Sequence, residues 1–102
     1  MKFVPLILVG LLFVPTQGWA AGDAAKGHAL ASTWCANCHV VADDGQGKDV
    51  APPFPEVARR GAPDQLSARA FLEAPHPPMP DLNLSRQEID DVVAYLNSLA
   101  HR

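Results

Sequence analysis

Two cysteines, Cys35 and Cys38, are the only thiols in the 102-residue chain, and they sit in the run Trp34-Cys35-Ala36-Asn37-Cys38-His39. The first five residues read as a redox dithiol, a Trp followed by C-x-x-C. The last five read as C-x-x-C-H, the spacing that attaches a haem: two thiols reach the two vinyl groups on one side of a porphyrin, and the following imidazole sits under the iron. In an oxidising compartment the pair could instead close as a disulfide. That bond would span a very small loop and stabilise little. A zinc site commonly needs two such pairs, and this chain has one.

A haem bound through His39 needs a ligand for its other face. Apart from the initiator, Met79 is the only methionine, and it lies in Pro75-His76-Pro77-Pro78-Met79-Pro80. Four prolines exclude helix and sheet ladder from this stretch. A stiff extended loop suits the holding of one thioether at a fixed point, and a soft thioether raises the potential of an iron couple. A lone Met is otherwise core filler. His76, three residues away, is the competing ligand and would give a lower potential. His28 reads as a surface residue of the first helix, and His101 as part of the frayed C-terminus.

Three helical segments must position these groups. The first is expected from Asp23, a good N-cap, to Trp34. Ala24, Gly27 and Ala31 share one face of it, bare enough for close approach of a second helix. That approach would justify the cost of about 1 kcal/mol for Gly27 within a helix. The last segment, Ser85 to Ala100, opens on the capping box Ser85-Arg86-Gln87-Glu88. It carries the apolar stripe Ile89, Val92, Val93, Leu96, Leu99, bordered by Tyr95, which suits the space left at Gly27. A middle helix is expected from Pro63, placed in its first turn, to Ala74, with Leu66, Ala70 and Phe71 as its apolar side. A brief helical turn is expected around residues 56–60. No segment alternates with period two, so no sheet is expected. A dithiol motif of the thioredoxin type would lie between a strand and a helix in a βαβ unit, and this pattern lacks one.

Residues 1–20, MKFVPLILVGLLFVPTQGWA, have the order of a cleaved secretory signal: Lys2, an apolar run from Phe3 to Val14, then Gly18 and Ala20 before the cut. The run is short for a membrane span and interrupted by Pro5 and Gly10. Cleavage leaves residues 21–102 as one small domain, of the size that often needs a covalent or cofactor staple. Loss of Lys2 takes the formal charge from −3 to −4. That acidic excess argues against nucleic acid as a partner, and no basic run marks a membrane-binding patch, so no stable membrane insertion is expected after cleavage.

Taken together, these residues resemble the class I c-type cytochromes, the small bacterial monohaem members in particular, over nearly the whole of residues 21–102. The residues that carry the resemblance are Gly22-Asp23-Ala24-Ala25-Lys26-Gly27 eight residues before Cys35, the C-x-x-C-H motif, Pro77-Pro78-Met79-Pro80, and Asp91-Val92-Val93-Ala94-Tyr95-Leu96. The resemblance implies an all-α fold of three to four helices wrapped round one covalently bound haem c. The N- and C-terminal helices would cross at Gly27 and Tyr95. It implies thioether attachment at Cys35 and Cys38 and axial ligation by His39 and Met79. A proline carbonyl would hold the axial imidazole N–H. Pro52 best matches that role, with Pro53 as the alternative. Phe54, Leu66, Phe71, Leu82 and Leu84 would line the porphyrin. Where the family often has a large apolar residue on the first helix, this chain has Ala31, and Trp34 is the candidate to compensate. The implied function is one-electron transfer in the periplasm between redox partner proteins, not catalysis of a substrate. The open alternatives are a haem subunit of a periplasmic dehydrogenase complex, a haem ligand sensor or peroxidase in which Met79 leaves the iron, and a C-x-x-C dithiol oxidoreductase.

Overall fold

The computed structural model describes residues 2–12 and 22–102. The expected cleavage residues Gly18 and Ala20 lie outside the described residues. Residues 2–12 have no regular structure, and Phe3, Leu6, Leu8 and Leu12 are exposed. No helix among the described residues is long and apolar enough to cross a membrane.

Four helices follow: α1 (Ala24–Trp34), α2 (Phe54–Gly61), α3 (Leu66–Glu73) and α4 (Arg86–Ala100). A single 3₁₀ turn, Cys35–Asn37, continues from α1. The only β-type pairings among the described residues are two isolated bridges, His39 with Ala51 and Val40 with Gly47. The all-α expectation therefore holds, and the described residues contain no βαβ unit of the kind a dithiol enzyme needs.

Helix ends follow local chemistry. Asp23 caps α1, its carboxylate accepting the Lys26 N–H at 3.1 Å. Ser85 caps α4 reciprocally: its hydroxyl accepts the Glu88 N–H at 3.1 Å, and the Glu88 carboxylate accepts the Ser85 N–H at 2.9 Å. The middle of the chain departs from expectation twice. The brief turn at 56–60 is a full helix, begun by Pro53 as N-cap with Pro55 in its first turn. The middle helix starts at Leu66 rather than Pro63, because Gln65 adopts a left-handed conformation (φ 57°) that a helix cannot contain. Gln65 is fully buried, and its amide donates to the Ala58 carbonyl at 2.8 Å, locking the α2–α3 corner.

That lock sets the rotation of α3. Ala68 and Leu72 pack on the core, and Arg69 pairs with Asp90 of α4 at 2.6 Å. Leu66 and Ala70 lie two positions out of phase with Ala68 and Leu72, on the opposite side of the helix, and are exposed. Of the expected apolar side, only Phe71 is even half-buried.

The core gathers at the crossing of α1 and α4, where Ala31, Cys35, Val41, Phe54, Ala58, Val92, Tyr95, Leu96 and Leu99 form one cluster. Gly27 makes the crossing possible. A Cβ there would fall 2.0 Å from the Asp91 carbonyl oxygen and 2.8 Å from the Tyr95 Cβ. Ala31 is wholly buried. Trp34 does not compensate for its small size: the indole is 55% exposed, and Tyr95 and Leu99 of α4 fill the core instead.

The candidate haem site

Cys35 is the C-cap of α1, and its thiol belongs to the core cluster. Burial pushes that thiol up to about 11, so it is protonated at neutral pH. Cys38 is exposed at the end of the 3₁₀ turn. Both thiols are free, so the disulfide reading is not realised here. The turn brings the two cysteines onto consecutive parts of one backbone bend. The N–H groups of Cys38 and His39 both donate to the Cys35 carbonyl, at 3.1 and 2.9 Å.

His39 follows immediately and is half-buried. Its Nδ1 lies 2.6 Å from the Pro52 carbonyl oxygen. A carbonyl only accepts, so Nδ1 is the donor, and in the neutral ring the lone pair is then on Nε2, the nitrogen free to ligate a metal. Of the two prolines considered, Pro52 makes this contact. The Pro53 carbonyl instead accepts the N–H groups of Glu56 and Val57 at the start of α2. The Phe54 ring stands 5.3 Å from the imidazole, centroid to centroid, at 60°.

The loop from His39 to Pro52 is tied down along its length. Val50 and Ala51 donate to the Cys38 carbonyl at 3.0 and 2.8 Å, Phe54 to Val40 at 2.8 Å, and Val41 to Gln46 at 2.7 Å. Gly47, at φ 114°, lies flat against His39, where a Cβ would sit 2.0 Å from the His39 carbonyl oxygen. From α4 the Tyr95 hydroxyl donates to the Val41 carbonyl at 2.5 Å. Neither Gly47 nor the Tyr95 hydroxyl was foreseen as part of the site. A glycine eight residues after the motif was the only available signal.

Met79 is half-buried in the Pro-rich loop between α3 and α4, and its N–H donates to the His76 carbonyl at 3.2 Å. It makes no hydrogen bond to the His39 cluster. His76 is exposed, with its ring edge-on to Phe71 at 4.7 Å. His28 stacks on Tyr95 at 4.8 Å, and His101 is the exposed C-cap of α4. Arg60 pairs with Glu56 one turn away. Among the described residues no three His, Cys, Asp or Glu side chains converge as a site for a bare metal ion. Two free thiols and one oriented imidazole fit a group that brings its own equatorial ligands, as a porphyrin does.

Residues 24–100 match the family model described as Cytochrome c. This chain belongs to the cytochrome c family. It is 51% identical, over 85 residues, to "Cytochrome c-552" of Bradyrhizobium diazoefficiens, the match covering 78% of this chain and 77% of that protein. It is 31% identical, over 78 residues, to "Cytochrome c-553-like" of Synechocystis sp., covering 76% and 70%. No solved structure matches this chain significantly. As a cytochrome c, the chain is a haem c electron carrier, and the C-x-x-C-H motif supplies the two cysteines that covalent haem attachment requires. Cytochrome c membership removes the dithiol oxidoreductase from consideration.

Proposed function

We propose that this cytochrome c is an exported, periplasmic one-electron carrier in which Cys35 and Cys38 hold one haem by two thioethers and His39 and Met79 take the two axial positions. Residues 1–20 are a signal that is removed, leaving 21–102 as the working domain. The observation that carries the reading is the 2.6 Å contact between His39 Nδ1 and the Pro52 carbonyl. It selects the neutral tautomer whose Nε2 can ligate, on the residue that directly follows the two cysteines of the motif.

Bound haem supplies a reversible Fe(III)/Fe(II) couple. The protein's part is to hold its own ligands still through that cycle. The Pro52 carbonyl fixes the imidazole plane and makes His39 a stronger donor. The prolines on both sides of Met79 narrow the conformations of its loop, so the thioether is presented with little loss of chain entropy. Leu66, which is 64% exposed, and the half-buried Phe71, Leu82 and Leu84 offer apolar surface for a porphyrin to cover. That covering would be the staple a domain this small needs. With His39 and Met79 both ligating it, the iron would have no position left for a substrate, which suits transfer of electrons between redox partner proteins.

The test is the purified exported protein and its Met79→Ala and His76→Ala variants. The native protein is expected to be red, with a denatured mass of residues 21–102 plus one haem. When oxidised it should show the long-wavelength thioether–Fe(III) band. Met79→Ala should abolish the band and His76→Ala keep it. A bare peptide mass without pigment, or a band that survives in Met79→Ala, overturns the assignment. Purification in a stable complex with a dehydrogenase, rather than as a free protein, would make the chain a subunit instead of a shuttle.

A further inference from the structure

Tyr95 does more at the α1–α4 crossing than fill space. Its Cβ lies against Gly27 and its ring stacks on His28, but its hydroxyl leaves the crossing and reaches the Val41 carbonyl, in a different part of the chain, 54 residues away. Both partners are buried, Tyr95 at 4% exposure and Val41 at zero. A neutral hydrogen bond there has no competing water. Val41 is two residues past His39. The carbonyl of the intervening Val40 accepts from Phe54, two residues past Pro52. One hydroxyl on α4 therefore anchors the segment bearing the imidazole, and through Val40 and Phe54 the segment bearing its acceptor. The aromatic rings run the same way, Tyr95 to Phe54 at 6.5 Å and Phe54 to His39 at 5.3 Å.

We propose that Tyr95 is a positioning residue for the axial imidazole: its hydroxyl, by holding Val41, sets the registry of His39 against the Pro52 carbonyl and so tunes the iron. The inference rests on His39 being the iron's imidazole ligand. When the hydroxyl is removed, the His39 segment loses its fixed point on α4. The Nδ1–H to Pro52 bond then lengthens, the imidazole donates less charge, Fe(III) is less stabilised, and the midpoint potential rises. A role confined to helix packing predicts none of this, because phenylalanine keeps the Cβ against Gly27 and the ring against His28 and Phe54.

The experiment compares Tyr95→Phe with wild-type holoprotein, using Ser85→Ala as the control. The control loses a cap on the same helix, ten residues away from Tyr95, and so one hydrogen bond, as Tyr95→Phe does. Histidine is labelled with ¹⁵N, and the exchange of the His39 Nδ1 proton is followed in the reduced protein alongside the midpoint potential. Tyr95→Phe is expected to exchange that proton about fivefold faster, the factor for one lost hydrogen bond, with an upward shift in potential. Ser85→Ala should lower the melting temperature and leave the potential at the wild-type value. Two outcomes overturn the inference: Tyr95→Phe lowers the melting temperature and moves neither the proton nor the potential, or Ser85→Ala moves both as far. If the labelled His39 ring of the wild type does not carry the shifts of an iron ligand, the axial assignment itself falls, and that result is separable from the other two.

Discussion

Gly27→Ala tests the crossing on which the whole site is hung. The new Cβ would be 2.0 Å from the Asp91 carbonyl oxygen, against the roughly 3.5 Å that non-bonded heavy atoms need. One helix must therefore retreat by roughly 1.5 Å. Retreat is resisted at both ends of the contact. The Asp91 carboxylate accepts the Asp23 N–H at 2.8 Å across the contact, and the Tyr95 hydroxyl is bonded to Val41. The obstacle is backbone, not the end of a flexible side chain, so the cost belongs at the upper end of the overpacking range, about 3 kcal/mol. Alanine returns about 1 kcal/mol in helix propensity. The net loss is about 2 kcal/mol, which lowers the melting temperature of a domain this size by roughly 8–16 °C. Thermal unfolding of the holoprotein, followed by far-ultraviolet circular dichroism, measures it. A variant as stable as wild type, or more stable, would show that propensity outweighs the clash and that the helices are not at contact distance.

Gly47→Ala places a side chain at φ 114° and 2.0 Å from the His39 carbonyl, so a loss of about 1–3 kcal/mol is expected from backbone strain alone. Denaturant unfolding reads it, and an unchanged midpoint would refute the strain. Acid should weaken the crossing through Asp91. The Asp23 backbone N–H, with smaller help from Gln87 and Lys26 and against the effect of burial, holds its carboxyl below the ordinary carboxylate range. Because the folded-state value is depressed, this stabilisation is fully present above the unfolded value near 3.8 and is lost as pH falls through the folded one. Asp91→Asn should therefore melt below wild type at pH 7, with the gap closing toward pH 2. A gap independent of pH would remove the charge from the argument.

Much of the site was legible because its chemistry is local. Two thiols and an imidazole within five residues declare themselves without a fold. Ser85 and Glu88 form a capping box from adjacent positions, and the bare face around Gly27 with the large Tyr95 announces a close crossing. The failures also have local causes. A proline suits a first helical turn equally well as a residue of the preceding bend, so Pro63 alone did not reveal that Gln65 would turn left-handed and delay α3 to Leu66. Once α3 starts at Leu66, its rotation is governed by the buried Gln65 amide and the Arg69–Asp90 pair. Neither has a periodic signature, and they turn Leu66 and Ala70 away from the α1–α4 core, which Ala68 and Leu72 meet instead.

The order of residues along the chain was sufficient for the kind of cofactor, the first and last helices and the caps that begin them, since each depends on neighbours within one or two helical turns. The partners of single atoms were decided only by the tertiary structure. That Pro52 rather than Pro53 meets His39, that Gly47 lies on the His39 carbonyl, and that the Tyr95 hydroxyl finds Val41 all depend on how distant segments are brought to hydrogen-bond distance. A bond that forms within about 3 Å is satisfied or lost by displacements far smaller than any sequence pattern can encode.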